Sequence, residues 1–189
     1  MNRREALSAA AVIFGGTIIG ANSFLSGCKT PAAKTGLFAD EDVAYMDEIS
    51  DTIIPDTPGS PGAKAAKVGA FMKTIVTDCY SPEDQQVFVK GLQTLNEAAD
   101  KAYKKKFAEL TAEQKTTVLT AEGKAAQDYD AKRAKDAPSH YFSMLRQLTV
   151  WGYFSSEVGA TKALRYLPIP GKFDGSFPYK KGDKAWALS

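Results

Sequence analysis

Apolar side chains recur at intervals of three and four residues through most of the chain after about residue 40, which is the spacing of one face of an α-helix. The sequence contains no convincing alternation of apolar and polar residues of the kind that indicates β-strands. The predicted helices are Asp40 to about Ile54, Ala65 to Tyr80, Ser81 to about Phe107, Thr111 to about Lys135, and Ser139 to about Val158. The pattern therefore predicts a small all-α domain of about five helices.

Capping and breaking residues mark several of these boundaries. Asp40 is the predicted N-cap of the first helix, and Pro55 ends that helix. The following loop, residues 56–62, contains two Pro-Gly pairs and is therefore predicted to be rigid. Ser81 and Pro82 form a strong helix start, because serine accepts a hydrogen bond from a free N–H group and proline fits the first turn.

The fifth predicted helix is the most apolar element of the chain after residue 28. From Gly159 onward, about 30 residues show no periodicity of apolar side chains. This irregular tail is rich in proline and aromatic residues, so we expect it to pack on the domain or on a partner. Trp151 and Tyr153 lie about 200° apart on a helix, so one should enter the core while the other points outward. The expected partner interface comprises Trp151, Tyr153, Glu157, Tyr166, Pro168, Pro170, Gly171, Phe173 and Trp186.

The first 28 residues have the plan of an export signal. Arg3 and Arg4 precede an uncharged stretch, residues 6–24, and then the sequence Leu-Ser-Gly-Cys, which ends at Cys28 and resembles a bacterial lipobox. That resemblance implies cleavage before Cys28 and acylation of its thiol, and the arginine pair resembles a twin-arginine signal. The alternative is a single membrane-spanning anchor, although the stretch is rich in small and polar residues. We expect a signal peptide at 1–27, a lipidated tether at 28–39, and a domain at 40–189 on the periplasmic side of a membrane.

Charge and composition exclude several classes of function. Lys and Arg number 24 against 22 Asp and Glu, for a net charge of +2, so the basic stripe of a nucleic-acid-binding protein is not expected. Two cysteines and one histidine are too few for most metal centres. We therefore expect no cofactor, metal or catalytic site in this chain.

Three isolated residues have a structural and a functional interpretation each. His140 is expected to be a surface residue rather than a catalytic base, and Glu157 to have a structural role, with a buried acid as the alternative. Cys79 follows Ile75 and Val76 at helical spacing, which favours a buried, inert thiol. A disulfide from Cys79 to another chain is the alternative in an oxidising compartment.

Three stretches of the sequence resemble the gluconate 2-dehydrogenase subunit 3 family. They are Leu148–Gly159 (LTVWGYFSSEVG), Leu164–Gly175 (LRYLPIPGKFDG) and Ile53–Ala63 (IIPDTPGSPGA). The resemblance implies a non-catalytic small subunit of a periplasmic dehydrogenase that supports the export and stability of a larger flavoprotein. The implied partners are a flavoprotein of the glucose-methanol-choline type, which carries FAD and oxidises sugars or sugar acids, and a cytochrome c that accepts electrons.

The sequence departs from the family pattern in two places. It carries the lipobox ending at Cys28, and it has Ser176 where relatives often have cysteine, so a disulfide at that position does not transfer. The alternative interpretation of the chain is a stand-alone helical lipoprotein that binds a ligand of the cell envelope. A neighbouring gene for a flavoprotein without its own signal would favour the subunit.

Overall fold

The computed structural model describes residues 36–169 and 171–187, and within them it contains five α-helices and no named strand. A short 3₁₀ helix, Phe107–Glu109, follows the third helix, and a π-helical turn, Gly159–Ala163, follows the fifth. The α-helices are α1 Asp40–Ile53, α2 Val68–Cys79, α3 Pro82–Tyr103, α4 Ala112–Asp130 and α5 Tyr141–Ser155. The predicted all-α fold is confirmed.

Helix starts depend on side chains that satisfy free N–H groups. Ser81 caps α3 as predicted, because its Oγ accepts a hydrogen bond from the Asp84 N–H. At α1 the predicted cap was wrong by one residue: Asp40 is the first helical residue and Ala39 is the N-cap. At α5 the cap is His140, not Ser139, and the Nδ1 of His140 accepts from the Phe142 N–H at 3.2 Å.

Several helices are shorter than their apolar pattern suggests. Lys67 takes a left-handed conformation, with φ of 52°, so α2 begins at Val68 rather than Ala65. Lys104 does the same at the end of α3, with φ of 56°, and the chain then turns so that Phe107 enters the core. The fourth helix ends at Asp130 instead of about Lys135. Left-handed turns leave no periodic signal, which is why the pattern overran the boundaries at Lys67 and Lys104.

Helix α5 packs against all four of the other α-helices. The close crossing with α3 requires Gly91, where a Cβ atom would lie 2.2 Å from Cγ of Tyr141. Burial of the apolar side chains between the five helices is the main source of the domain's stability. The core includes Met46 and Ile49 of α1, Met72 and Val76 of α2, Phe88 and Leu95 of α3, and Leu145 and Leu148 of α5.

The packed domain reaches further toward the N-terminus than the boundary expected at Asp40. Phe38 is buried and meets Phe88 edge to face, with 5.9 Å between ring centroids. The predicted signal residues Arg3 and Arg4 and the predicted lipidation residue Cys28 lie outside the described residues. None of the helices that the structure describes is long and apolar enough to cross a membrane.

A nearly buried lysine links α1 and α4. The Nζ of Lys115 lies 2.5 Å from Glu48 Oε1, and the Nζ of Lys64 lies 3.1 Å from Glu48 Oε2. The hydrogen bond from Lys115 lowers the pKa of Glu48, and Lys64 adds to this effect while partial burial opposes it. A carboxylate with a lowered pKa contributes stability above its ordinary pKa of 4.5, and loses that contribution as the pH falls through the folded-state value.

Glu48→Gln should therefore lower the free energy of unfolding at pH 7, and the difference from wild type should shrink as the pH falls below about 4.5. Denaturant unfolding of both proteins at pH 7 and pH 3.5 measures the two differences. The comparison must be between variants, because burial raises the pKa of the neighbouring Asp47 and this acts in the opposite direction. A difference that does not change with pH would contradict the assignment.

Candidate functional site

The Pro-Gly loop, residues 56–62, is fixed to the end of α5 by one tyrosine. The Tyr153 hydroxyl donates to the Pro61 carbonyl at 2.5 Å and lies 2.6 Å from Oγ of Ser60. The Tyr153 side chain is only 2% exposed. Two segments about 90 residues apart in sequence therefore form one rigid end of the bundle.

Glycines allow the close contacts at this end. A Cβ atom on Gly152 would lie 2.6 Å from the Phe71 ring, so α5 approaches α2 here with no room for a side chain. A Cβ atom on Gly159 would lie 1.9 Å from the Tyr153 carbonyl oxygen, which is backbone and cannot rotate away. The π-helical turn can therefore follow α5 only with glycine at position 159.

Gly159→Ala should lower the free energy of unfolding by about 1–3 kcal/mol, because the added methyl group clashes with backbone. Gly123→Ala in α4 is the matched control: its Cβ would meet only the Phe142 ring, at 3.4 Å, an ordinary contact. The control should raise stability by about 0.5–1 kcal/mol, since alanine favours a helix interior. Thermal or denaturant unfolding distinguishes the two, and equal effects would contradict the packing described.

The outer face of the α5 end carries exposed aromatic side chains. Trp151 is 52% exposed and meets Phe71 edge to face at 5.2 Å, while Phe154 is also exposed. The expectation that Trp151 and Tyr153 face opposite ways is confirmed. Tyr153, which was expected at the partner interface, has its ring buried in the core of this domain. Glu157 is exposed and is not the buried acid that was the alternative.

The tail folds back on itself and is closed at its base. The Arg165 N–H donates to the Ala185 carbonyl at 2.8 Å, and the Ala187 N–H donates to the Arg165 carbonyl at 2.7 Å. The Arg165 guanidinium stacks on Trp186 at 4.3 Å and lies 5.6 Å from the Phe177 centroid. We call Arg165, Phe177 and Trp186 the clasp, and residues 166–185 the tail loop.

The base of the tail loop is attached to the Pro-Gly loop. Lys184 Nζ donates to the Gly59 carbonyl at 3.0 Å and also to the carbonyl of Lys162. The expected irregular tail is thus irregular in its backbone but held in place at one point of the rigid bundle end. The sequence pattern also missed the π-helical turn that leads into it.

Most apolar side chains of the tail loop remain exposed. Phe173 is 96% exposed and Ile169 82%, and neither packs on the domain. The predicted interface residue Pro170 lies outside the described residues. Other exposed apolar or glycine residues of this segment include Tyr166, Leu167, Pro168, Gly171 and Tyr179, and the clasp residues Phe177 and Trp186 are also exposed.

Away from this end of the bundle, the side chains that could take part in catalysis or metal binding do not come together as a site in the described residues. His140 caps α5 and stacks on Tyr141 with 4.6 Å between centroids. In the described part of the chain, no three His, Cys, Asp or Glu side chains come together as metal ligands would. Cys79 is exposed and unpaired there, so the expectation of a buried thiol was wrong. Cys79 is the last residue of α2 and lies on its exposed side, whereas Val76 in the same turn is buried.

Comparison with known proteins gives one match. Residues 40–171 match the family model described as gluconate 2-dehydrogenase subunit 3. The match covers more than two thirds of the 189 residues and includes the Pro-Gly loop, α5 and Arg165, whereas Phe177 and Trp186 lie beyond it. No curated protein and no solved structure matches the chain.

Proposed function

Because the chain belongs to the gluconate 2-dehydrogenase subunit 3 family, whose name implies association with the other subunits of such a complex, we propose that it is a non-catalytic binding subunit. Its partner is a flavoprotein of the glucose-methanol-choline type that carries FAD and oxidises sugars or sugar acids on the periplasmic side of a membrane. A cytochrome c accepts the electrons. The subunit stabilises the flavoprotein and helps to export it through its own leader.

One observation carries this proposal: the bundle end exposes a set of large apolar side chains that the domain does not cover. Trp151, Ile169 and Phe173 are each more than half exposed. Exposed apolar surface of this kind marks sites of protein association, and aromatic anchors supply most of the binding free energy in such interfaces.

The closed base of the tail loop favours tight association. Backbone hydrogen bonds of Arg165 join the two ends of the loop, and Lys184 attaches this base to the Pro-Gly loop. A segment that is already positioned loses less conformational entropy on binding than a free tail does. The loop can therefore present its apolar side chains as one surface.

The non-catalytic role agrees with the state of the polar side chains. The His140 ring nitrogen caps a helix, the Glu48 carboxylate accepts from two lysines, and Glu122 accepts from the Tyr141 hydroxyl at 2.5 Å. These side chains have structural hydrogen bonds within the bundle.

Affinity purification of the tagged full chain from a membrane extract tests the proposal. We expect a large flavoprotein to co-purify, with a flavin absorption spectrum and a sugar- or sugar-acid-dependent reduction of an artificial electron acceptor. The tagged chain expressed alone should show neither flavin absorbance nor this activity. Purification of the chain alone from its native membrane would contradict the proposal and favour a stand-alone lipoprotein.

The lipid anchor gives a separate prediction. Cys28→Ser should yield a chain that is not acylated, and this chain should leave the membrane fraction, because buried acyl chains supply about 0.8 kcal/mol per methylene. Mass spectrometry and carbonate extraction measure the two effects. A Cys28→Ser chain that still resists extraction would indicate that residues 6–24 span the membrane or that a membrane-bound partner retains it.

A further inference from the structure

Positive charge is concentrated in the tail. Between positions 162 and 187 there are six cationic side chains against the two aspartates Asp174 and Asp183, an excess of four, whereas the whole chain carries only +2. The remainder of the chain is therefore slightly acidic. The cations are Lys162, Arg165, Lys172, Lys180, Lys181 and Lys184.

The two aspartates of the tail are engaged in local turns. Asp174 Oδ1 accepts from the Ser176 N–H at 3.1 Å, and Asp183 Oδ2 accepts from the Lys180 N–H at 2.9 Å. Neither pairs with a cation in the described residues, and Arg165 has no ion pair there either. The positive charge of the tail loop is thus not neutralised within the part of the chain that the structure describes.

The surroundings of Arg165 suit the binding of a carboxylate. Its guanidinium lies beside the paired rings of Trp186 and Phe177, 4.3 Å and 5.6 Å from their centroids, and its Nε is buried without a hydrogen-bond partner. A guanidinium that is fixed in one plane by aromatic rings can donate two parallel hydrogen bonds to a carboxylate, which a lysine cannot do. Because Nε is inaccessible, the donors that a partner carboxylate can reach are those of the two Nη groups at the outer end of the guanidinium.

We propose that the tail loop recognises an acidic surface of the catalytic subunit, and that a carboxylate of this surface pairs with Arg165 in the clasp. This inference rests on the proposed function and adds to it the chemistry of the partner. The aromatic side chains of the loop supply apolar contact, while Arg165 and the lysines select a surface of opposite charge. Charge complementarity of this type governs the rate and the specificity of association.

An anionic membrane is the other surface that a basic, aromatic loop could contact. The position of the aspartates favours a protein. Asp174 is adjacent to Phe173, the most exposed aromatic residue, so inserting Phe173 into a bilayer would bring a carboxylate into a layer of negative headgroups. A protein surface can place an individual donor opposite Asp174 and carboxylates opposite the cations.

The experiment measures the dissociation constant between the full chain and its co-purified flavoprotein at 50 mM and 500 mM NaCl. We expect Arg165→Lys to weaken binding roughly 10- to 100-fold at the lower salt concentration, because charge remains but the paired hydrogen bonds are lost. A triple variant, Lys172→Gln, Lys180→Gln and Lys181→Gln, leaves the clasp intact and should reduce the salt dependence. Arg146→Gln, which removes an exposed cation from α5 outside the tail, is the matched control and should bind like wild type.

Circular dichroism and thermal melting of each variant confirm that the fold is retained. Binding that neither Arg165→Lys nor the triple variant weakens, with no dependence on salt, would overturn this inference while leaving the proposed function intact. If no flavoprotein co-purifies, both fail. Flotation with phosphatidylglycerol and phosphatidylcholine vesicles tests the membrane: an Arg165-dependent preference of the full chain for phosphatidylglycerol, without an effect on flavoprotein binding, would also overturn it.

Discussion

Tyr153→Ala should lower the free energy of unfolding by about 3–5 kcal/mol, which is a large part of the total stability of about 5–15 kcal/mol that is typical of a domain this size. The ring is 2% exposed, and its hydroxyl holds Pro61 and Ser60 of the Pro-Gly loop. The substitution therefore removes core packing and releases the loop at the same time. Denaturant unfolding of the full chain measures the change.

Two matched variants separate the contribution of core packing by the Tyr153 ring from that of its hydrogen bonds to the loop. Tyr153→Phe keeps the ring and should lower stability by only about 1–3 kcal/mol, the effect of leaving buried groups without their hydrogen bond. Trp151→Ala, two positions away on the exposed face, should change stability by less than about 1 kcal/mol but weaken binding of the flavoprotein. Equal destabilisation by Tyr153→Ala and Trp151→Ala would show that the two faces of α5 are wrongly assigned.

Deletion of residues 166–189 should abolish association with the flavoprotein while leaving helix content nearly unchanged. None of the five α-helices includes a residue beyond Ser155, and the π-helical turn ends at Ala163. The deletion removes the exposed side chains of the tail loop, Trp186 of the clasp, and the Lys184 bond to Gly59. Circular dichroism and a pull-down on the truncated chain measure the two outcomes.

Each of the two measurements has its own contradicting result. A large loss of helicity would mean that the tail is part of the domain's own core, contrary to the exposure of Ile169 and Phe173. An intact pull-down would mean that the tail is not the docking element and that the partner binds elsewhere. A variant that replaces only Ile169 and Phe173 by serine keeps the clasp and tests the apolar contact alone.

Much of the fold could be predicted from the sequence because its signals are local. The three-to-four spacing located the five helices, Ser81 and Pro82 located the start of α3, and the angle of about 200° between side chains two positions apart separated Trp151 from Tyr153. The helix ends were less accurate. Lys67 and Lys104 adopt left-handed conformations that lysine rarely takes, so residue type gave no signal of these boundaries.

The candidate site was only partly predictable, because it depends on contacts between residues that are far apart in the sequence. Its aromatic composition indicated docking, but the clasp joins Arg165 to Trp186, 21 residues further along the chain, and the tail loop joins Lys184 to Gly59 across 125 residues. No local pattern encodes contacts over such separations. The exposure of Cys79 was missed because helical spacing does not indicate where neighbouring helices stop covering a face.

Lysine cross-linking followed by mass spectrometry, on the purified complex of the full chain with its flavoprotein, tests most directly whether the tail loop is the docking surface. The chain carries exposed lysines both on the tail loop, at positions 172, 180 and 181, and on the helices away from it, at positions 90, 101 and 124, so each sample contains its own control. Cross-links to the flavoprotein should come from the tail-loop lysines, and the helix lysines should form few or none. Cross-links that come mainly from the lysines of α3 and α4 would contradict it.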